Sequence, residues 1–151
     1  DVYKRQIHQR LVFTISRIIG NYIADHHGSC EVYPAPFAVN LDADDKDWVE
    51  PDVSIICDPN KLTDRGCSGA PDLIFEIVSP SSRKLDYGIK NGIYSQSGVR
   101  EYWIVDPAKE RVTVYHYEDD AAPAIYSFEQ DIPVGVYPGL TIKINDLLEN
   151  Y

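Results

Sequence analysis

A chain of 151 residues with 44% hydrophobic content and 11 tyrosines suits one globular domain with a single core, and excludes a disordered polymer. No apolar run approaches the roughly 18 residues that a membrane-spanning helix needs, so no membrane partner is expected. The formal net charge of −10 weighs against a protein that wraps nucleic acid electrostatically.

The opening "DVYKRQ" flows straight into a helical pattern, and the chain contains no Met. It therefore reads as a single domain over residues 1–151 that lacks its native start. Ile7, Leu11, Ile15, Ile18 and Tyr22 recur at helical spacing, which predicts an amphipathic helix of about five turns ending near "DHHGS". "EVYPAPFAVNL" (31–41) reads as a strand broken by two prolines, near an edge or bulged. The acidic "DADDKDW" is a turn or loop, "PDVSIIC" (51–57) a short buried strand, and "DPNKLTDRGCSGA" a long polar loop. A strand over 72–79 is followed by a helix from Ser81 or Ser82 to about Gln96. "REYWIVD" and "RVTVYHYE", joined by "PAKE", form an antiparallel hairpin. "AIYSFEQ" is a further strand candidate, and "LTIKINDLLENY" ends in a short strand and a helical turn. The order predicts a mixed α/β domain with a central sheet. Cys30, Cys57 and Cys67 are odd in number, widely spaced and without a CxxC pair. That pattern predicts reduced thiols in a cytosol-like compartment.

One residue breaks the apolar run from Leu73 to Val78. Glu76 shares a strand face with Ile74 and Val78, and an unpaired carboxylate there would cost several kcal/mol or neutralise itself. A compensating cation is expected, either a basic side chain in a structural ion pair or a metal. Two acids compete as partner. Asp72 lies four residues earlier on the same strand, about 13 Å away, too far to share an ion. Asp52 opens the preceding strand and converges on Glu76 if the two strands are neighbours in suitable register. On the next helix Asp86, Lys90 and Tyr94 stand at i, i+4 and i+8, one face. That face is either a solvated charge pair or the means of bringing Lys90 to the carboxylates. His8, His26, His27 and His116 show no metal spacing and read as structural or surface residues. The aromatics of "YWIVD" and "VYHY" alternate as strand residues do and read as packing.

An Asp opening one strand, a Glu inside the next and a nearby Lys resemble the metal site of the PD-(D/E)xK nuclease superfamily. The longer strings "EPDVSIICD", "GAPDLIFEIVSPSS", "DYGIKNGIYSQSGVREYWIVDP" and "VTVYHYE" occur in order. With "IHQRL" and "PAPFAV" they closely resemble the Uma-two family of restriction-endonuclease-like proteins, over nearly the whole chain from about Ile7. The family's usual N-terminal strand region is missing. The resemblance implies a restriction-endonuclease-like α/β fold, a mixed central β-sheet flanked by helices. It implies Asp52, Glu76 and the Ile77 main-chain carbonyl as ligands of one Mg²⁺ (or Mn²⁺), with Lys90 catalytic and Asp86 and Tyr94 in support. It further implies an endonuclease acting on nucleic acid, DNA foremost. The cysteine pattern, with no signal peptide visible, places it in the cytoplasm, and a homodimer is one assembly to expect. One departure stands out: the superfamily lysine normally sits two residues after the acid, and here that position is Val78. Lys84 follows too late, and Lys90 is the substitute.

A competing expectation is a catalytically silent member of the fold acting as an interaction module. The missing strand lysine, the charge of −10 and the scattering of 14 Lys and Arg favour it.

Overall fold

The computed structural model describes residues 2–149, and side chains from residue 4 to 149. Asp1 and the expected chain end at Asn150 and Tyr151 lie outside the described residues. The elements run in order: helix α1 (Val2–Asp25), β1 (Glu31–Pro34), β2 (Val39–Asn40), β3 (Trp48–Val49) and β4 (Val53–Ile56). A 3₁₀ turn (Pro59–Lys61), β5 (Leu62–Thr63), β6 (Gly66–Ser68) and β7 (Leu73–Ile77) follow. After β7 come a π-helical segment (Leu85–Lys90), α2 (Asn91–Ser97), β8 (Glu101–Asp106) and β9 (Arg111–His116). The chain continues with β10 (Ala124–Ser127), β11 (Ile132–Pro133), β12 (Thr141–Ile142) and α3 (Ile144–Glu149).

The central sheet has six strands in the order β1-β4-β7-β8-β9-β10. Only β7 and β8 run parallel, because the helical segment between them carries the chain back across the sheet. The other pairs are antiparallel. Strand alternation then splits the core in two. Leu73, Phe75 and Ile77 pack with Leu11, Ile15 and Ile19 of α1 and with Leu147 of α3. Ile74 and Val78 pack on the opposite side with Tyr94 of α2 and Tyr102 of β8. The mixed sheet with helices on both faces is the expected restriction-endonuclease-like architecture.

Three local expectations are corrected. The stretch 58–70 is more than a loop: β5 and β6 join β2 and β3 in a small four-stranded sheet, β3-β2-β6-β5. Gly66, at φ +130°, makes this possible, since a Cβ there would overlap the Ala38 carbonyl. The helix after β7 is π-wound before it becomes α-helical. Cys30 and Cys57 form a disulfide instead of remaining thiols. The antiparallel register pairs Glu31 with Ile56, so the next residues outward face each other, although 27 positions separate them in sequence. The inference to a reducing compartment loses its support with that bond. Cys67 stays free and buried, and burial pushes its thiol up to about 11.

Candidate active site

The register of β4 against β7 pairs Val53 with Phe75. The next step outward sets Asp52 directly opposite Glu76 at the sheet end, and each side chain holds a backbone amide of the other's strand end. The Asp52 amide donates to Glu76 Oε1 at 3.0 Å, and the Ile77 amide donates to Asp52 Oδ2 at 2.8 Å. Asp72 does not join them. It stands at the other end of β7, where it accepts the Cys57 amide and pairs with Arg100, a strand-entry role.

The helical segment supplies the opposing charge. Lys90 Nζ lies 2.9 Å from Glu76 Oε2 and 3.1 Å from Asp86 Oδ1, so one ammonium bridges two buried carboxylates. Tyr94 donates its hydroxyl to the same Glu76 Oε2 at 3.0 Å. Asp86, Lys90 and Tyr94 therefore do share an inward face, despite the π-helical winding. Val78, where a superfamily lysine would stand, is a core residue, 4% exposed. Among the described residues, Lys90 and Tyr94 meet Glu76 and Lys84 does not, and Ile77 contributes its backbone amide beside Asp52.

The structure adds a residue that sequence reasoning missed. His8, on α1, places Nε2 3.1 Å from Asp52 Oδ1. The 44 residues between them carry no spacing signal. Only the position of His8, one residue outside the apolar stripe, marks it as lying near the rim of the buried face.

Burial pushes the Glu76 carboxyl up, with Asp52 adding to the effect, and Lys90 only partly offsets it. Burial would lower the Lys90 pKa, but Glu76 and Asp86 outweigh it and hold the ammonium raised, hence charged at neutral pH. The hydrogen bond to Asp52 raises His8, against burial. Three carboxylates (Asp52, Glu76, Asp86) thus face one permanent cation, which leaves a formal deficit of two positive charges unless His8 is protonated. All-oxygen donors with that deficit fit a hard divalent cation. Asp86 Oδ1 is buried and accepts no well-formed hydrogen bond, with the Lys90 ammonium 3.1 Å away as the charge it faces.

A different acidic group, Asp42, Asp44 and Asp47, brings three ligand atoms within 4.8 Å of one another. All three are exposed in the turn between β2 and β3, on the small sheet. They read as a solvated acidic turn.

Comparison with known proteins agrees with this architecture. The profile of the Uma2 family, described as "Putative restriction endonuclease", matches residues 3–145. A relative from Synechocystis sp., uncharacterized protein slr1290, is 26% identical over 103 residues, 68% of this chain and 54% of that protein. The chain thus spans about half the length of the curated relative it matches. A crystal structure from Anabaena variabilis, described as "a putative nuclease belonging to DUF820", superposes with a TM-score of 0.73 at 18% identity. It covers 95% of this chain and 80% of that one, and at that identity it shows a shared fold.

Proposed function

The chain belongs to the Uma2 family, and on that premise we propose that it is a metal-dependent endonuclease that hydrolyses phosphodiester bonds of nucleic acid, DNA foremost. The observation that carries the reading is the Lys90 ammonium 2.9 Å from Glu76, beside an Asp52 in register across the strand pair. A lysine delivered from the helix takes the part that Val78 leaves vacant on the strand.

Asp52, Glu76 and the Ile77 carbonyl would hold one Mg²⁺ or Mn²⁺. When bound, such a cation polarises the scissile phosphate and lowers the pKa of a water. Lys90 orients the attacking water and offsets charge developing on the phosphate oxygens. Asp86 holds Lys90 from its far side. Tyr94 fixes Glu76 Oε2, and His8 fixes Asp52 Oδ1.

Cleavage of plasmid, linear and single-stranded DNA and of RNA, with Mg²⁺ and with Mn²⁺, tests the activity. Calorimetric titration of metal into wild type and Glu76→Ala tests the site. The expected result is metal uptake and cleavage that both disappear in Glu76→Ala. Metal uptake indifferent to Glu76, with no cleavage of any substrate, would favour the silent interaction module instead.

A further inference from the structure

Beside the carboxylate pair, a cavity of about 240 Å³ opens between α1 and the loops that follow β7 and β8. Ile7, Pro80, Pro107 and Ala108 make its walls largely aliphatic, while Lys4, His8 and Ser79 supply polar atoms. A shallower depression adjoins it, sharing Lys4 and His8 and adding Arg5 and Ser81. Among the described residues, no acidic side chain lines either one, in a chain that carries 24 acidic residues. The described lining is thus basic and neutral, with the Asp52 carboxylate just behind His8.

The cavity is continuous with the candidate active site. His8 and Ile77 line it, and the same two residues hydrogen-bond the Asp52 carboxylate, through Nε2 and through the backbone amide. Any group seated there lies beside the Asp52 carboxylate of the proposed site. The volume falls below the roughly 300–1,000 Å³ of sites that take drug-sized ligands, which suits a single flat ring system. Aliphatic walls favour an apolar face, and the cationic rim favours an attached phosphate. A nucleotide has both. A base stacked inside a duplex exposes only its edges in the grooves, so a base that seats its face in the cavity must be unpaired or extruded.

We propose that this cavity receives an unpaired nucleobase from the nucleotide beside the scissile phosphate, with Lys4 and Arg5 holding the flanking phosphates. The inference rests on the nuclease reading and narrows its substrate to single strands or strands with an extruded base. Recognition is by shape and apolar contact, with little discrimination among bases, because most of the lining is aliphatic.

The test uses fluorescence anisotropy of a short labelled single strand, in Ca²⁺ as a hard oxygen-binding cation, with the full chain. Wild type should bind the single strand more tightly than the matching duplex. Moving one abasic nucleotide along the strand should weaken binding at least about tenfold at one position and little elsewhere. Ala108 is exposed on the turn after β8, so Ala108→Trp should fill the cavity and still fold. It should cost a similar factor, and the abasic substitution should then add nothing further, since both changes remove one contact. A flat abasic scan in wild type, or equal affinity of Ala108→Trp and wild type, overturns the cavity assignment while leaving the nuclease intact. Absence of all nucleic-acid binding and of metal-dependent cleavage overturns both.

Discussion

Two buried glutamates stand on neighbouring strands of the central sheet, each 2% exposed, and they live in opposite worlds. Glu101 points to the α1 side of β8. It accepts the Trp103 indole N–H at 2.6 Å and the Gly135 and Val136 amides at 3.2 and 3.1 Å, with His116 Nδ1 3.6 Å away. Glu76 points to the other side of β7. It meets an ammonium, a phenol and one amide, and it is crowded by the carboxylates of Asp52 and Asp86. Glu101 is held mainly by fixed neutral donors and pins the 134–136 loop to the sheet. Glu76 sits in a cluster whose charges do not balance without a further cation. Burial of a carboxylate does not by itself mark a functional site. Unbalanced neighbouring charge is the better signal.

The largest expected effect tests the structural half of that contrast. Glu101→Ala strips an indole and two amides of their acceptor, at about 3 kcal/mol or more by chemical denaturation, since each buried donor left unsatisfied costs roughly 1–3 kcal/mol. A loss below about 1 kcal/mol would mean that Glu101 is no more structural than Glu76.

Lys90→Ala tests the other half. Cleavage per folded molecule should fall by about 10²-fold or more, while metal affinity in calorimetry stays largely intact, since Lys90 is no ligand. Lys84→Ala should change neither. Wild-type cleavage by Lys90→Ala would remove its catalytic part and leave Asp52 and Glu76 standing on their own geometry.

Gly135→Ala probes how tightly Glu101 is clamped. A Cβ at that position would lie 2.5 Å from Glu101 Oε1 and 3.0 Å from the His116 ring, so overpacking of about 1–3 kcal/mol is expected in thermal or denaturant unfolding. Metal uptake at Glu76 should be unchanged.

The smallest effect is a pH dependence in metal-free protein. The folded-state pKa of Glu76 is raised, mainly by burial, so the native state binds a proton more readily than the unfolded chain does. Stability is therefore lost as pH rises from the ordinary carboxyl range through the folded value. Glu76→Gln should be as stable as wild type below pH about 4, where both states are protonated. It should match or exceed wild type near pH 7. A Glu76→Gln protein that is much weaker at pH 7 would place Glu76 with Glu101 as a structural anchor.

The sequence marked Glu76 because an acid in a β-branched apolar run is visible without knowing any contact. It passed over Glu101 in "REYWIVD" because an acid at a strand start looks ordinary, and its acceptor role depends on a loop 34 and 35 residues away. Helical spacing put Asp86, Lys90 and Tyr94 on one face, and the part of Lys90 came from the family resemblance. Asp52 was legible only on the condition that its strand neighbours that of Glu76, which the register meets. His8 was not, since its partnership with Asp52 exists only when α1 lies across the sheet end. The disulfide escaped for the same reason, because cross-strand register and not spacing brings Cys30 to Cys57.

Periodicity alone determined where the main helices and strands lie, since burying an apolar stripe is a local demand repeated along the chain. It also determined that Glu76 needed a cation, because desolvating a charge is costly wherever it occurs. Only the tertiary structure decided which cation arrives, that Lys90 bridges Glu76 to Asp86, and that a cavity lies beside them. Those outcomes depend on the strand register and on how α1 and α2 pack against opposite faces of the sheet, distances that no local pattern encodes.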